Sequence, residues 1–219
     1  MKKSKTFNLH CTKCPRLSQF LVDVKNEHPD YHAKPVPPFG EDKPKLLIVG
    51  LAPGMHGANA TGRPFTGDHA GILLYKTLFE FGFSSKEKSD SADDDLKLID
   101  CKITNAVKCL PPQNKPTAIE INVCNEYLGH ELSALKTNTV ILALGGIAHK
   151  SVIKALDLKQ KDYPFSHNVC HPLSKQRHLI DSYHCSRYNT QTKRLTTPMF
   201  QDVFRQARKI IETKATRTK

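Results

Sequence analysis

Apolar positions along the chain fall into short β-branched runs separated by longer stretches with helical spacing. In Lys45-Leu46-Leu47-Ile48-Val49-Gly50 the residues after Lys45 are apolar without interruption and only strand-sized, the pattern of a strand buried on both faces. In residues 69–83, Ile72, Leu73, Leu78 and Phe79 recur at helical spacing, which predicts a helix after that strand. Residues 98–107 read as a second strand. Thr117 followed three residues later by Glu120 is a capping-box pair and opens a helix running to about Leu135. Residues 139–144 read as a third strand, Gly145-Gly146 leads into a helix through Leu156, and residues 177–183 read as a later strand. Thr197-Pro198 opens a final amphipathic helix to about Ile211, with proline at the first helical position.

The remaining segments are polar or broken. Residues 84–95 are charged and Ser-rich, a surface loop, and Lys34-Pro35-Val36-Pro37-Pro38-Phe39-Gly40 is a connector. Residues 1–45 show no sustained periodicity and are expected to be an irregular N-terminal segment. Strands alternating with helices predict an α/β fold, a three-layer α/β/α sandwich with a central, mostly parallel sheet. We find no internal repeat, so residues 1–219 are expected to form a single domain. In such sheets functional groups gather beyond the carboxyl ends of the strands. Three conspicuous segments fall there: residues 50–68, 105–112 and 184–189.

Composition narrows the class. No apolar run approaches bilayer length, mean hydropathy is −0.46, and Met1-Lys2-Lys3-Ser4-Lys5 is followed by no apolar signal region. A soluble, cytoplasmic chain without a membrane partner is expected. The net charge of +12 favours a polyanion through counterion release, although a generally basic, solvated surface would give the same number. Seven cysteines are an odd count, and in an intracellular chain they point to metal or redox chemistry rather than a disulfide framework. Cys11-Thr12-Lys13-Cys14 is a CxxC, and Cys109 and Cys124 could close onto it. Four soft thiolates suit zinc or an iron–sulfur cluster, and spacing does not choose between them. Cys101, Cys170 and Cys185 have no matching partner and read as core or loop residues.

Four segments, taken in order, carry a resemblance: Gly50-Leu51-Ala52-Pro53-Gly54; Gly62-Arg63-Pro64-Phe65-Thr66-Gly67-Asp68; Thr104-Asn105-Ala106-Val107-Lys108-Cys109-Leu110-Pro111-Pro112; and Ser182-Tyr183-His184-Cys185-Ser186-Arg187-Tyr188-Asn189. With the four cysteines in register, the set resembles the uracil-DNA glycosylase superfamily, and most closely its type b branch (family 5). The resemblance implies a [4Fe–4S] cluster on Cys11, Cys14, Cys109 and Cys124. It also implies an enzyme that rotates a uracil or related deaminated base out of single- or double-stranded DNA. Such an enzyme would hydrolyse the glycosidic bond, leave an abasic site for base excision repair, and work as a monomer.

On that resemblance Gly50, Leu51, Ala52, Phe65, Asn105 and His184 bind the base. Phe65 would stack on it, worth roughly 1–3 kcal/mol; otherwise it is a core aromatic. The Asn105 amide can donate to O4 and accept from N3–H of uracil, a polarity that cytosine reverses; otherwise it ties down a turn. His184 would donate to O2 as negative charge develops on the leaving base. His171-Pro172 has a similar look but lacks both the strand before it and the Ser-Arg-Tyr-Asn after it. The superfamily's acid or Asn is replaced by Leu51, as in type b, so water handling falls to another group. Asp68 is the candidate, with a helix N-cap as its alternative role. Ser186, Arg187 and Tyr188 resemble the wedge that enters the duplex, and Lys108 and Lys115 are candidate phosphate contacts. Cys185 stands where the family usually has proline, and Gly54 where type b commonly has alanine.

Two rivals compete. A non-catalytic metal-binding nucleic-acid module would keep the cysteines and the charge but would not need Phe65, Asn105 and His184 together. A phosphate- or nucleotide-binding hydrolase would need a Walker lysine or a GxGxxG, and the chain has neither at the required spacing.

Overall fold

The computed structural model describes residues 7–215; the basic start Met1-Lys2-Lys3-Ser4-Lys5 lies outside the described residues. Six strands form one sheet: β1 (Phe39–Gly40), β2 (Leu46–Gly50), β3 (Cys101–Asn105), β4 (Val140–Leu144), β5 (Cys170–Pro172) and β6 (His178–Ser182). Their order is β1-β3-β2-β4-β6-β5. The inner four run parallel, and the two short edge strands pair antiparallel. The helices are α1 (Pro15–Glu27), α2 (Ala58–Thr61), α3 (His69–Glu80), α4 (Ala118–Ser133), α5 (Gly146–Ala155), α6 (Arg187–Gln191) and α7 (Thr197–Ala215).

The apolar strands work in both directions. Leu46, Ile48, Val140, Leu142 and Ile180 pack on one face with Leu74 and Leu78 of α3 and Phe200, Val203 and Phe204 of α7. Leu47, Val49, Ile141, Ala143 and Leu179 pack on the other with Leu128 and Leu132 of α4 and Val152 and Ile153 of α5. The side-chain period of two thus divides each strand between two cores, the three-layer arrangement expected.

The N-terminal segment departs from expectation. Residues 1–45 are not wholly irregular: α1 buries Leu17, Leu21 and Val24 in a third core with Val107, Leu110 and Tyr127. That apolar stripe occupies a single short helix, and Pro15 at its start reads as a loop residue in isolation, although proline is well suited to a first turn. Phe39–Gly40, at the end of the expected connector, pair with β3 as an edge strand, and the sequence does not predict the other edge strand, β5. The remaining boundaries differ by a few residues, chiefly because strand pairing ends sooner than the apolar run. The capping box on α4 is formed: Glu120 N–H donates to Thr117 Oγ1 at 3.3 Å, and Thr117 N–H donates to the Glu120 carboxylate at 2.7 Å.

Thr117→Ala removes one side of this box and should lower stability by about 1 kcal/mol, measured by urea unfolding with an unchanged m-value.

Candidate active site and thiol centre

β2 and β3 end together. Gly50 pairs in register with Asn105, and the chain order switches sides between β2 and β4, which opens a crevice at the carboxyl edge of the sheet. Asn105 is 3% exposed and its Oδ1 has no hydrogen-bond partner. A buried amide oxygen left unmet costs about 1–3 kcal/mol, so Asn105 Oδ1 is available to a hydrogen-bond donor entering the crevice. A Cβ on Gly50 would overlap Asn105 Oδ1 and stand 2.7 Å from Phe65 Cζ. Only glycine admits both groups at that strand end.

Phe65 sits at φ +57°, an unfavourable conformation for an aromatic residue. Neighbours hold it there. Arg63 is buried and bonds Asp94 at 2.5 Å, Ser89 at 3.1 Å and the Ala92 carbonyl, with its guanidinium 4.4 Å from the Phe39 ring centroid. Thr66 and Ser89 share a hydroxyl bond of 2.7 Å, and Tyr75 donates to the Pro64 carbonyl at 2.9 Å. The polar loop of residues 84–95 therefore braces the Phe65 turn. Asp68 caps α3 by accepting from Gly71 N–H at 2.7 Å. Burial raises the Asp68 pKa above its usual 3.8, against the opposing pull of the Gly71 and Ala70 N–H groups.

His184 follows β6 by two residues. Its carbonyl accepts from Asn189 Nδ2 at 2.8 Å, and its ring lies 6.0 Å from that of Phe65 at an interplanar angle of 28°. Packing around the imidazole pushes its pKa down to about 4, so the ring is neutral at physiological pH. Leu51, Ala52, Phe65, Asp68, Asn105 and His184 line one cavity of about 420 Å³, with Ser186 and Arg187 also on its wall. Gly50 underlies the Phe65 ring. Ser186 caps α6 by accepting from Asn189 N–H at 3.4 Å, and Tyr188 is 70% exposed beside it. Gly54, Ala58, His69, Ala70 and Asn114 complete the lining, and none of them is a site candidate from the sequence. Asn114 follows the Pro111-Pro112 turn, a signal that could have identified it.

Lys115 is exposed next to Asn114. Lys108 corrects the expectation of a phosphate contact. It is 1% exposed, its ammonium bonds Glu131 at 2.6 Å and the Thr104 hydroxyl, and it is spent inside the protein. Burying an ammonium is costly unless such partners surround it. His171 lies in β5, away from the cavity lining and beside Asp181. Cys185 and Cys101 are core residues of the α3/α7 face, with Cys170 partly buried against them.

Cys11, Cys14, Cys109 and Cys124 line a second, apolar-walled cavity with Phe7, Leu17, Val107 and Tyr127. Lys108 N–H points at Cys124 Sγ at 3.3 Å. Burial, aided by the neighbouring sulfurs, raises the pKa of Cys109 and pushes that of Cys124 to about 11. Four convergent thiols that repel one another as thiolates fit a cationic metal centre.

A family model for the "Uracil DNA glycosylase superfamily" matches residues 37–208. The chain belongs to that superfamily. Among its relatives, a Type-5 uracil-DNA glycosylase of Thermus thermophilus is 44% identical over 205 residues, covering 91% of this chain and 93% of the relative. A Type-5 uracil-DNA glycosylase of Pyrobaculum aerophilum is 40% identical over 91% of this chain and 88% of its own. A Type-4 uracil-DNA glycosylase of Archaeoglobus fulgidus is 36% identical, over 57% and 55%. Similarity to the type-5 glycosylases thus extends further along the chain than to this type-4 protein.

Because the folded state disfavours His184 protonation, its contribution to stability is complete above pH 6.5 and is lost as pH falls from 6.5 toward 4. Urea unfolding at about pH 7.5 and about pH 5 should show this loss, at most about 1.4 kcal/mol per pH unit from this group. His184→Gln should flatten the dependence; identical pH slopes for the two proteins would contradict it.

Proposed function

We propose that this chain flips uracil, and related deaminated bases, out of DNA and hydrolyses the N-glycosidic bond, leaving an abasic site for base excision repair. The observation that carries this reading is the meeting of an aromatic face, an unmet buried amide and a neutral imidazole in one cavity, in a member of the uracil DNA glycosylase superfamily. A purely DNA-binding role would leave the Asn105 oxygen without a purpose.

The flipped base stacks on Phe65, which with backbone contacts offsets an unstacking cost of a few kcal/mol. Asn105 Oδ1 accepts from N3–H and its NH₂ donates to O4; cytosine offers neither partner in that polarity. As the C1′–N1 bond breaks, its electron pair stays on the base. A neutral His184 donates N–H to O2 and stabilises that charge without losing its proton. Water adds to C1′ of the cationic sugar. Asp68 caps α3 through Oδ1, which leaves Oδ2 to orient the water and take its proton. Both roles proposed for Asp68 thus fit one carboxylate.

Ser186, Arg187, Tyr188 and Lys115 meet single- or double-stranded DNA at the cavity mouth, and the +12 charge supplies a salt-sensitive attraction to phosphates. Cys11, Cys14, Cys109 and Cys124 would hold a [4Fe–4S] cluster, the choice over zinc resting on the resemblance to type b. Bound there, the cluster supplies a cross-link between the start of α1 and α4. No helix is long and apolar enough to cross a membrane among the described residues, and work as a monomer in the cytoplasm, with the DNA, fits this reading.

The purified protein should be brown, contain iron and sulfide, and release uracil from a uracil-containing oligonucleotide. Asn105→Ala and His184→Ala should each slow single-turnover cleavage by roughly 10²–10³-fold. An intact cluster with no base released from duplexes carrying uracil or hypoxanthine would overturn the proposal.

Asp68→Ala should reduce the cleavage rate far more than DNA affinity, because it removes the water-handling group. Unchanged turnover with a lower melting temperature would leave Asp68 with the cap alone.

A further inference from the structure

Away from the cavity, three elements bring together His149 of α5, His171 of β5 and Asp181 of β6, with ligand-type atoms all within 4.8 Å of one another. Asp181 is completely buried, and an ionised carboxylate there needs a cation. His149 Nδ1 lies 2.7 Å from Asp181 Oδ1, and its Nε2 lies 2.8 Å from the Tyr163 carbonyl oxygen. A carbonyl can only accept, so Nε2 carries the ring proton. Nδ1 then presents a lone pair to a carboxylate, which also only accepts. Something positive must sit between them: a second proton or a metal ion.

The third member favours the metal. His171 is 8% exposed, and its Nε2 faces Asp181 Oδ2 at 3.4 Å without forming a hydrogen bond. Neither atom has another hydrogen-bond partner. A proton on His149 would satisfy Oδ1 and leave this pair unmet. One divalent ion would satisfy all three residues, whose ligand atoms lie within 4.8 Å of one another. The surroundings match those of a metal-bound imidazole: a backbone carbonyl fixes the His149 tautomer, while Phe165 packs 5.6 Å from its ring and Tyr163 packs 5.6 Å from His171.

We propose that His149, His171 and Asp181 bind a Zn²⁺ ion, separate from the thiol centre. Two imidazoles and one carboxylate suit zinc, whereas calcium and magnesium prefer all-oxygen shells. Binding displaces any second proton from His149 and ties α5 and the edge strand β5 to β6. Asp181 precedes His184 by three residues, and Phe165 also packs 6.3 Å from Tyr183. The ion is therefore a brace behind the strand that presents the His184 imidazole, and takes no part in the reaction.

The test equilibrates the purified full chain with excess Zn²⁺, removes free metal by gel filtration, and measures bound zinc with its X-ray absorption edge. The expected result is one zinc per chain with a shell of nitrogen and oxygen at about 2.0 Å and no sulfur at about 2.3 Å. His171→Ala and Asp181→Asn should each lose that zinc while retaining iron. If those variants fail to fold, the absorption spectrum of the unaltered protein still decides. Three results overturn the proposal: no retained zinc, zinc with sulfur neighbours only, or nitrogen- and oxygen-bound zinc that both folded variants keep. None of these outcomes depends on glycosylase activity.

Discussion

At the end of β2 a missing side chain lets two groups share one place. The Phe65 ring lies where a Cβ of Gly50 would stand, and the Asn105 amide reaches the same point from the neighbouring strand. Parallel pairing of Gly50 with Asn105 sets the amide to within the tolerance of a strand register. The ring, by contrast, depends on a loop at positive φ, and such strain persists only when surrounding bonds over-determine it. Those bonds come from Arg63, Thr66 and Tyr75, and two of them reach into the polar loop of residues 84–95. A segment that reads as solvent-exposed thus serves the binding cavity through Asp94 and Ser89.

The electrostatics of the cavity follow from burial rather than from neighbouring charge. His184 is held neutral because packed atoms, not a cation, disfavour its charged form. A neutral donor suits a base that leaves as an anion, since it strengthens its hydrogen bond without surrendering its proton. Asp68 is shifted the opposite way by the same cause, yet its backbone N–H partners favour the ionised form. In the proposed reaction, His184 on a desolvated wall would stabilise the leaving group and the Asp68 carboxylate would handle the nucleophile.

Much of this was legible in the sequence, for reasons that differ by residue. The strand carrying Gly50 is apolar on both faces, a pattern few other elements share, whereas the strand carrying Asn105 alternates Cys101 and Ile103 with Lys102 and Thr104. Thr117 and Glu120 mark a helix start by local chemistry alone, and the structure forms both bonds. The sequence around Lys108 suggests an exposed site because its neighbours are a proline turn and a cysteine, whereas its partner, Glu131, lies 23 residues away on α4. The brace on Phe65 was invisible for the same reason: Arg63 and Asp94 are 31 residues apart, and nothing local announces a buried ion pair. Helix α1 escaped notice because its apolar face is satisfied by the thiol centre and Tyr127, which are distant in sequence. Local rules identify elements; long-range pairs decide which polar residues are spent inside.

In the proposed function Phe65, Asn105 and His184 receive one extruded pyrimidine. A crystal structure of the protein with DNA carrying a non-hydrolysable 2′-fluoro-deoxyuridine tests it most directly. It should show the base stacked on Phe65, with the Asn105 amide on O4 and N3 and His184 on O2. A base left in the duplex, or seated elsewhere with the Asn105 oxygen still unmet, would contradict it.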